Sequence, residues 1–478
     1  VLDRAIGKLK EGSAVVVGWL LVLLAGLVGL SVQGQEFPYC GFDAPSIEQK
    51  RELLQRAIKG DKGAQLQYQA ILSNHSDRLK QCRQTSWLKT QALWIRLYPC
   101  DSKPGNLDQI LDNVVNYGYN RLYVNVFYDG RVLLPHQDNP TVFPSVVGAT
   151  HPQVDLLAEV IKKGRERGIK VYAWVFTMNF GPSYSKRTDR QGALARNGFG
   201  ETNLQDPNAI PEEAGVSHIF IDPYNPRAQQ DFKNLLFAIS QRQPDGILFD
   251  YIRYPHRTQR ITHDVRDLMI YGYISAQTLL ARAQSNLGQA LIYAYLKDGK
   301  VSRPVPPGTK LWQLPNGKQV VANGDDLNQD LWHLVTEHAR WGVTNFLSKS
   351  ARSQPMPTGA VFFPKANRNF PEGVDPRLQP WERFTMVQEW HPMLYSACGR
   401  GECIIDELAR VMANLPPGIE ICPAIAGFWG NSLGQRIPLE AQLSALRTAY
   451  PTLNCISHFA YSWLDLPSDR ARRSCKLN

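Results

Sequence analysis

From Ala92 onward one rhythm repeats. A short apolar run ends near a polar or aromatic residue, and a stretch with helical spacing follows. "ALWIRLYP" (Ala92 to Pro99), "RLYVNVFYDG" (Arg121 to Gly130), "KVYAWVFTMN" (Lys170 to Asn179) and "DGILFD" (Asp245 to Asp250) read as strands. "NLDQILDNVVNYGYN" (Asn106 to Asn120), "DLLAEVIKKGRERGI" (Asp155 to Ile169) and "RAQQDFKNLLFAISQR" (Arg227 to Arg242) read as the helices between them. Such alternation implies parallel strands joined by crossover helices. The rhythm breaks after Pro255, where Asn316-Gly317 between two strand-like runs signals a hairpin. It resumes with a helix at Thr336 to Ser350 and then with strands at "TGAVFFPK" (Thr358 to Lys365), "EWHPMLYS" (Glu389 to Ser396), "IEICPAIAGF" (Ile419 to Phe428) and "CISHFAYSWLD" (Cys455 to Asp465). Eight such strands predict an α/β chain folded as a (β/α)8 TIM barrel, an architecture of about 250 residues before insertions. An open doubly wound sheet is the rival, but "LYPCDSKPGN" after the first strand lacks the glycine-rich phosphate fingerprint. The expected organisation is a signal peptide or membrane anchor over residues 1–34, a helical segment over 35–90, and the barrel over 91–478. An insertion is expected at about 256–331, after strand 4.

The N-terminal end points to export. Arg4, Lys8 and Lys10 precede a charge-free run from Ala14 to Val32, and "VQG" (Val32 to Gly34) offers small or short residues at a cleavage site. The run is longer than a usual signal core and just long enough to span a bilayer, so cleaved signal and uncleaved anchor both stay open. Either gives a periplasmic or extracellular protein, in the second case held to the inner membrane. Eight cysteines agree with an oxidising compartment. Cys398 with Cys403, and Cys40 with Cys82, are the expected disulfides. No spacing suits zinc, and neither metal nor cofactor is expected. The net charge of +10 favours anionic partners. With no basic block interleaved with aromatics, nucleic acid is not an expected partner.

In a barrel of this kind the chemistry sits at the C-terminal ends of the strands. Period-two alternation places Trp94 with Arg96 on one face of the first strand. It places Tyr123, Asn125, Phe127 and Asp129 on one face of the second, and Leu248 with Asp250 on one face of the fourth. Asp250 is therefore expected at the rim. A carboxylate there needs partners, and Arg96 and Arg253 are the candidates. Read functionally, it is a charged group aimed into a cleft; read blandly, it is an ion pair closing the barrel top. The rings at or beyond strand ends, among them Tyr254, Tyr395, Trp429 and Trp463, suit the aliphatic faces of sugars. Glu389 opens its strand and is expected at the opposite, structural face.

"DPYNPRAQQDF" followed by "PDGILFDYIRYP" (Pro244 to Pro255) resembles the glycosyl hydrolase-like proteins of the family-10-like kind, and "HPMLYS" resembles their sixth strand. The resemblance runs over about Gln91 to Asp465. It implies a barrel acting on polysaccharide, with cell-wall glycan a natural substrate for bacterial relatives, and it marks Asp250 as catalytic. A more distant likeness is to family 18 chitinases, with Asp-Gly-x-Asp-x-Asp-x-Glu-Tyr-Pro on strand four. Here Asp245-Gly246 and Asp250 remain, Leu248 replaces the middle Asp, Ile252 and Arg253 stand where the Glu is expected, and Ser396 replaces the sixth-strand Asp. The chitinase proton donor is thus missing.

The expectation is an exported glycoside hydrolase working through a carboxylate pair, in which Asp250 faces Asp129, Asp465, or an acid of the third-strand loop such as Glu201 or Asp206. Arg96, Arg253, Tyr254, Asn179, Tyr395, Trp429 and Trp463 are the expected substrate contacts. The partner is a polysaccharide or oligosaccharide, with a membrane reached only through the N-terminal segment. Two alternatives are a glycan-binding barrel that has lost catalysis, which a carboxylate-free seventh strand favours, and an envelope scaffold.

Overall fold

The computed structural model describes residues 39–478 except 150, 212–217, 325, 476 and 478. The signal peptide or membrane anchor expected over residues 1–34 lies outside the described residues. Among those described, no helix is long and apolar enough to cross a membrane.

Eight parallel strands form the barrel: β1 (Thr90–Arg96), β2 (Arg121–Tyr128), β3 (Lys170–Phe176), β4 (Gly246–Asp250), β5 (Thr358–Phe362), β6 (Glu389–Pro392), β7 (Glu420–Ile421 and Ala424–Ala426) and β8 (Cys455–Phe459). Each pairs in parallel with its sequence neighbour, and β8 pairs with β1. β7 closes the ring in two halves. Its first half bonds to β6, and its second half bonds to β8 while bridging Met393 beyond β6. The chain is an α/β TIM barrel. Helices cross back after seven of the strands or cap the rim, but β5 lacks one. Its return is an irregular stretch with a two-residue-stranded ladder, Asn369–Phe370 against Gly373–Val374, and a short 3-10 turn at Trp381–Arg383.

Aromatic rings fill the interior. Trp94 of β1 meets Tyr123 at 4.7 Å, Trp174 at 4.9 Å and Phe459 at 6.1 Å between ring centroids. Its indole N–H donates to Ser457 Oγ at 2.9 Å. Rings of this size fit because two inward positions carry no side chain. A Cβ at Gly246 would lie 2.7 Å from the Tyr172 ring, and one at Gly359 would lie 2.6 Å from Leu248 and 2.7 Å from His391. Below this layer sits the only charge cluster of the floor among the described residues. Arg121 Nη1 donates to Glu389 Oε2 at 2.9 Å, Tyr172 donates to Glu389 Oε1 at 3.0 Å, and His391 Nε2 lies 3.2 Å from Glu389 Oε2. Glu389 thus sits at the structural end of the barrel.

Outside the strands, the helices Ala44–Ile58 and Lys62–Thr85 precede β1. Asp43 is the N-cap and accepts from the Ser46 N–H at 2.8 Å, while Asp61 caps the second helix through the Ala64 N–H at 2.9 Å. Between β4 and the helix Leu327–Ala351 lie two helices, Tyr273–Leu280 and Asn286–Asp298, and an antiparallel hairpin, Lys310–Gln313 with Gln319–Val321, turning at Asn316-Gly317. All eight cysteines are paired: Cys40–Cys82, Cys100–Cys475, Cys398–Cys403 and Cys422–Cys455. Four disulfides are the cysteine chemistry of an extracellular or periplasmic protein.

Burial would raise the pKa of Glu389, but contact with His391, the charge of Arg121 and the Tyr172 hydroxyl outweigh it. They draw it from 4.5 down to about 2. A carboxyl held low in the folded state stabilises while ionised, and that contribution is lost as pH falls from 4.5 toward 2. Glu389→Gln should cost about 3 kcal/mol or more at neutral pH, because Arg121 stays buried without its anion. It should also flatten the fall in stability across the acid window. Urea denaturation of both proteins at several pH values checks this.

Candidate active site at the barrel mouth

The fourth-strand motif builds the centre of the site. Asp250 ends β4 facing inward above Trp174, whose indole N–H donates to Asp250 Oδ2 at 3.0 Å. The next residue, Tyr251, has φ +52°. Left-handed backbone costs a bulky residue about 1–2 kcal/mol. Here it turns the Tyr251 N–H back onto Asp250 Oδ1 at 2.6 Å. Both carboxylate oxygens thus accept an N–H. Tyr251 packs on Phe176 with ring centroids 4.4 Å apart, Ile252 returns to the core, and the Arg253 guanidinium lies 4.7 Å over the Tyr251 ring. The arginine three residues after the acid is therefore brought back to the same rim.

These groups line a cavity of about 330 Å³ at the C-terminal ends of the strands. Arg96, Tyr98, Trp174, Asp250, Arg253 and Tyr395 are on its wall. Arg96 is held by Asn125 of β2, whose Oδ1 accepts from Arg96 Nε at 3.2 Å, and it lies 4.6 Å over the Tyr128 ring. Burial, and then the nearby Asp250 carboxylate, push the Tyr395 hydroxyl far above its usual value, with Arg436 opposing, so it is a permanent proton carrier.

A second acid on the same wall comes from an unexpected place. Asp469 belongs to the helix Leu466–Ser474, after the last strand, and is 6% exposed. Its carboxyl lies 3.5 Å from Arg472 Nη1 and 3.8 Å from Arg473 Nη2. Burial raises its pKa above the ordinary value, against the pull of Arg472, Arg473 and Arg96. That helix is strapped over the mouth. Arg472 donates to both oxygens of the fully buried Asp101, at 2.9 and 2.8 Å, and to the Arg96 carbonyl at 2.8 Å, while Cys475 is bonded to Cys100. Sequence reasoning passed over Asp469 because it looked for acids at strand ends. The available signal was helical spacing, with Arg472 and Arg473 three and four residues on.

Other expected site residues lie elsewhere. The ladder between β2 and β3 slips between Asn125 and Phe127, so alternation fails there and Phe127 packs on Phe143 at 4.5 Å. Asp129 then occupies a tight Asp-Gly turn, φ +51° and +71°, leading into the short strand Arg131–Val132. It lies 3.9 Å from Arg96 and is not on the cavity wall. Asn179 is fully buried, and its Oδ1 accepts from the Gly181 and Ile219 N–H groups, so it ties the third loop together. Tyr254 is 1% exposed and faces the interior. Glu201 is bonded to Asn197 at 2.9 Å, and Asp206 pairs with Arg257 at 3.0 Å. Asp465, Trp429 and Trp463 meet one another, but in a separate groove. The Asp-Pro-Tyr-Asn-Pro stretch is structural. Asn225 caps the helix Pro226–Ser240, and buried Asp222 accepts from the Tyr224 and Ser275 N–H groups.

Comparison with known proteins bears on this half of the barrel. Residues 86–301 match the family model described as glycosyl hydrolase-like 10. The match spans β1 to β4, including the Asp250 motif, and shows the resemblance read from that motif. No curated protein matches in sequence. Among solved structures, the chain is similar to the PgaB (BpsB) glycoside hydrolase domain from Bordetella bronchiseptica, with 16% identity and a TM-score of 0.44. That alignment covers 81% of this chain and 99% of that one. It is also similar to a GH18 chitinase from Pseudoalteromonas aurantia, with 9% identity, a TM-score of 0.35, and 81% and 100% covered. A third is Ega3 of Aspergillus fumigatus, in complex with galactosamine, with 10% identity, a TM-score of 0.34, and 78% and 92% covered. Over its first four strands the chain is thus similar to the family described as glycosyl hydrolase-like 10.

If the Asp101–Arg472 pair holds the last helix on the mouth, Arg472→Ala should cost about 3–5 kcal/mol, because it leaves Asp101 buried and unpaired. Arg473→Ala, at a side chain 58% exposed, should cost less than about 1 kcal/mol. Denaturant titration of the two variants, with the disulfides intact, measures the difference.

Proposed function

We propose that the protein hydrolyses glycosidic bonds of a polysaccharide at the mouth of its barrel, outside the cytoplasm. One observation carries this reading: Asp250 and Asp469 lie on the wall of a single ring-lined cavity in opposite electrostatic dress. Asp250 accepts two N–H groups, an environment that favours the anion and suits a nucleophile or base. Asp469 is buried, with its pKa raised, and suits a proton donor to the leaving oxygen. Arg253 and Arg96 hold the rim, and Tyr395 donates a hydrogen bond to the sugar beside Asp250. The donor on the last helix takes the place of the acid missing from the fourth strand. The preceding apolar run and the four disulfides support export, with cell-wall glycan as the substrate class. The contacts of Asp469 with two arginines favour a second reading, a glycan-binding barrel without turnover.

Asp250→Asn and Asp469→Asn separate the two. Asp250→Asn should lower kcat/KM on polysaccharide by about a thousandfold or more while glycan binding is kept. Asp469→Asn should slow polysaccharide cleavage similarly, yet spare aryl glycosides whose leaving group needs no proton. It should also remove the fall in rate that the parent shows as pH rises and Asp469 loses its proton. Glycan binding by a parent protein that cleaves neither polysaccharides nor aryl glycosides would establish the binding module instead.

A further inference from the structure

The groove that collects Trp429, Trp463 and Asp465 is also walled by Leu466 and Pro467, the start of the last helix. Arg472 and Cys475 pull that helix over the loop after β1. The ring of His458, a residue of β8, lies 2.9 Å from the Tyr119 hydroxyl and 2.9 Å from the Gly427 carbonyl. Trp429 in turn donates its indole N–H to that Tyr119 hydroxyl at 3.2 Å. Tyr119 is fully buried and His458 is 3% exposed. The half-buried Trp429 ring is therefore set in place by a buried polar chain.

In front of this chain lies an open groove of about 610 Å³. Its walls carry Tyr117, Phe428, Trp429, Asn431, Trp463 and Asp465. Phe428 and Trp463 lie 4.7 Å apart between ring centroids, and Tyr117 is 44% exposed. The Trp463 indole N–H, the Tyr117 hydroxyl and the Asn431 amide have no hydrogen-bond partner among the described residues. Asp465 spends Oδ1 on the Ser468 N–H at 3.1 Å. Rings that offer flat faces, with donors and an acceptor at their edges, match the two sides of a pyranose: C–H groups on its faces and hydroxyls around its rim. No lysine, arginine or histidine lines the groove, and its one formal charge is negative, so an acidic polymer is repelled.

We propose that this groove is a second glycan site, which holds a neutral polysaccharide chain on the flank of the barrel. It shares no wall residue with the mouth, but the two meet at one turn. Tyr461 and Ser462 face the mouth, and Trp463 faces the groove. A long chain can lie in both. The proposal deepens the reading of the mouth as a glycan site, but the groove stands on its own geometry.

The test is isothermal titration of cellohexaose, chitohexaose and maltohexaose, and of polygalacturonate, into the Asp250→Asn variant, which prevents turnover. At least one neutral hexaose should bind saturably and polygalacturonate should not. Adding Trp463→Ala should weaken one class of site about tenfold or more. Adding Tyr117→Ala, at an exposed ring with little to unfold, should weaken the same class about threefold. If the reading of the mouth is wrong, the parent will cleave no glycan, yet a single hexaose site sensitive to both substitutions will remain. If the flank proposal is wrong, no neutral hexaose will bind, or hexaose binding will be unchanged by Trp463→Ala and by Tyr117→Ala, whatever the parent cleaves.

Discussion

Everything functional in this molecule depends on how β7 closes the ring. A sheet of eight parallel strands becomes a barrel only if the last pairings can be made, and here one strand is broken to make them. The Cys422 N–H reaches back to the Trp390 carbonyl of β6 at 2.9 Å, and the Pro423 carbonyl accepts from the Ser457 N–H of β8 at 2.8 Å. Proline has no N–H to leave unpaired at the switch between the two neighbours. The Cys422–Cys455 disulfide fixes the same junction covalently. With the ring closed, strand ends that are far apart in sequence share one rim, and Arg96, Asp250 and Phe459 line one cavity.

The filling of the barrel gives that rim its polarity. Most of the interior is aromatic, and its charged groups gather at two levels. The lower is the Arg121–Glu389 cluster on the floor, and the upper is the mouth. Between them Trp94, Trp174 and Tyr123 form a dry layer. Trp174 joins the layer to the mouth, since its ring packs downward and its N–H reaches Asp250. Asp250 therefore stands on a hydrophobic floor with its hydrogen bonds supplied by the protein. Such pairing is what lets a carboxylate stay ionised while buried.

Much of this was legible in the residues, because barrel strands are short apolar runs and their ends are sites by topology. The eight runs follow from the strand–helix rhythm, the inward facing of Trp94, Arg96, Leu248 and Asp250 from period two, and the opposite placement of Glu389 from its opening its strand. Where the reading failed, the cause was local. Asp129 was expected on the rim because alternation was carried through Phe127, but one bulge rotated the strand and the Asp-Gly pair that followed made a turn. Tyr254 and Asn179 were chosen for being polar or aromatic near strand ends, and such residues also serve to seal and tie loops. Trp429 and Trp463 were expected at the mouth but line a separate groove. The path of the last helix is decided by Arg472 and Cys475 meeting Asp101 and Cys100, a contact between the two ends of the barrel that no local pattern encodes.

That long-range strap also explains why the second acid of the mouth escaped the family pattern. Strand four of the chitinase-like arrangement carries its proton donor within the motif, fixed by the backbone. Here Ile252 and Arg253 stand at the matching positions, and among the described residues the buried acid that joins Asp250 on the wall, Asp469, arrives from the far end of the chain. An acid delivered this way is placed by tertiary contacts, the Arg472–Asp101 pair and the Cys100–Cys475 bond, and not by register. Such an arrangement ties the place of Asp469 on the wall to the oxidised, fully folded chain. The last helix contributes to both hollows: Asp469 and Arg473 are on the wall of the carboxyl-bearing cavity and Leu466 and Pro467 on that of the ring-lined groove, and the short turn at Tyr461–Leu464 is shared by both.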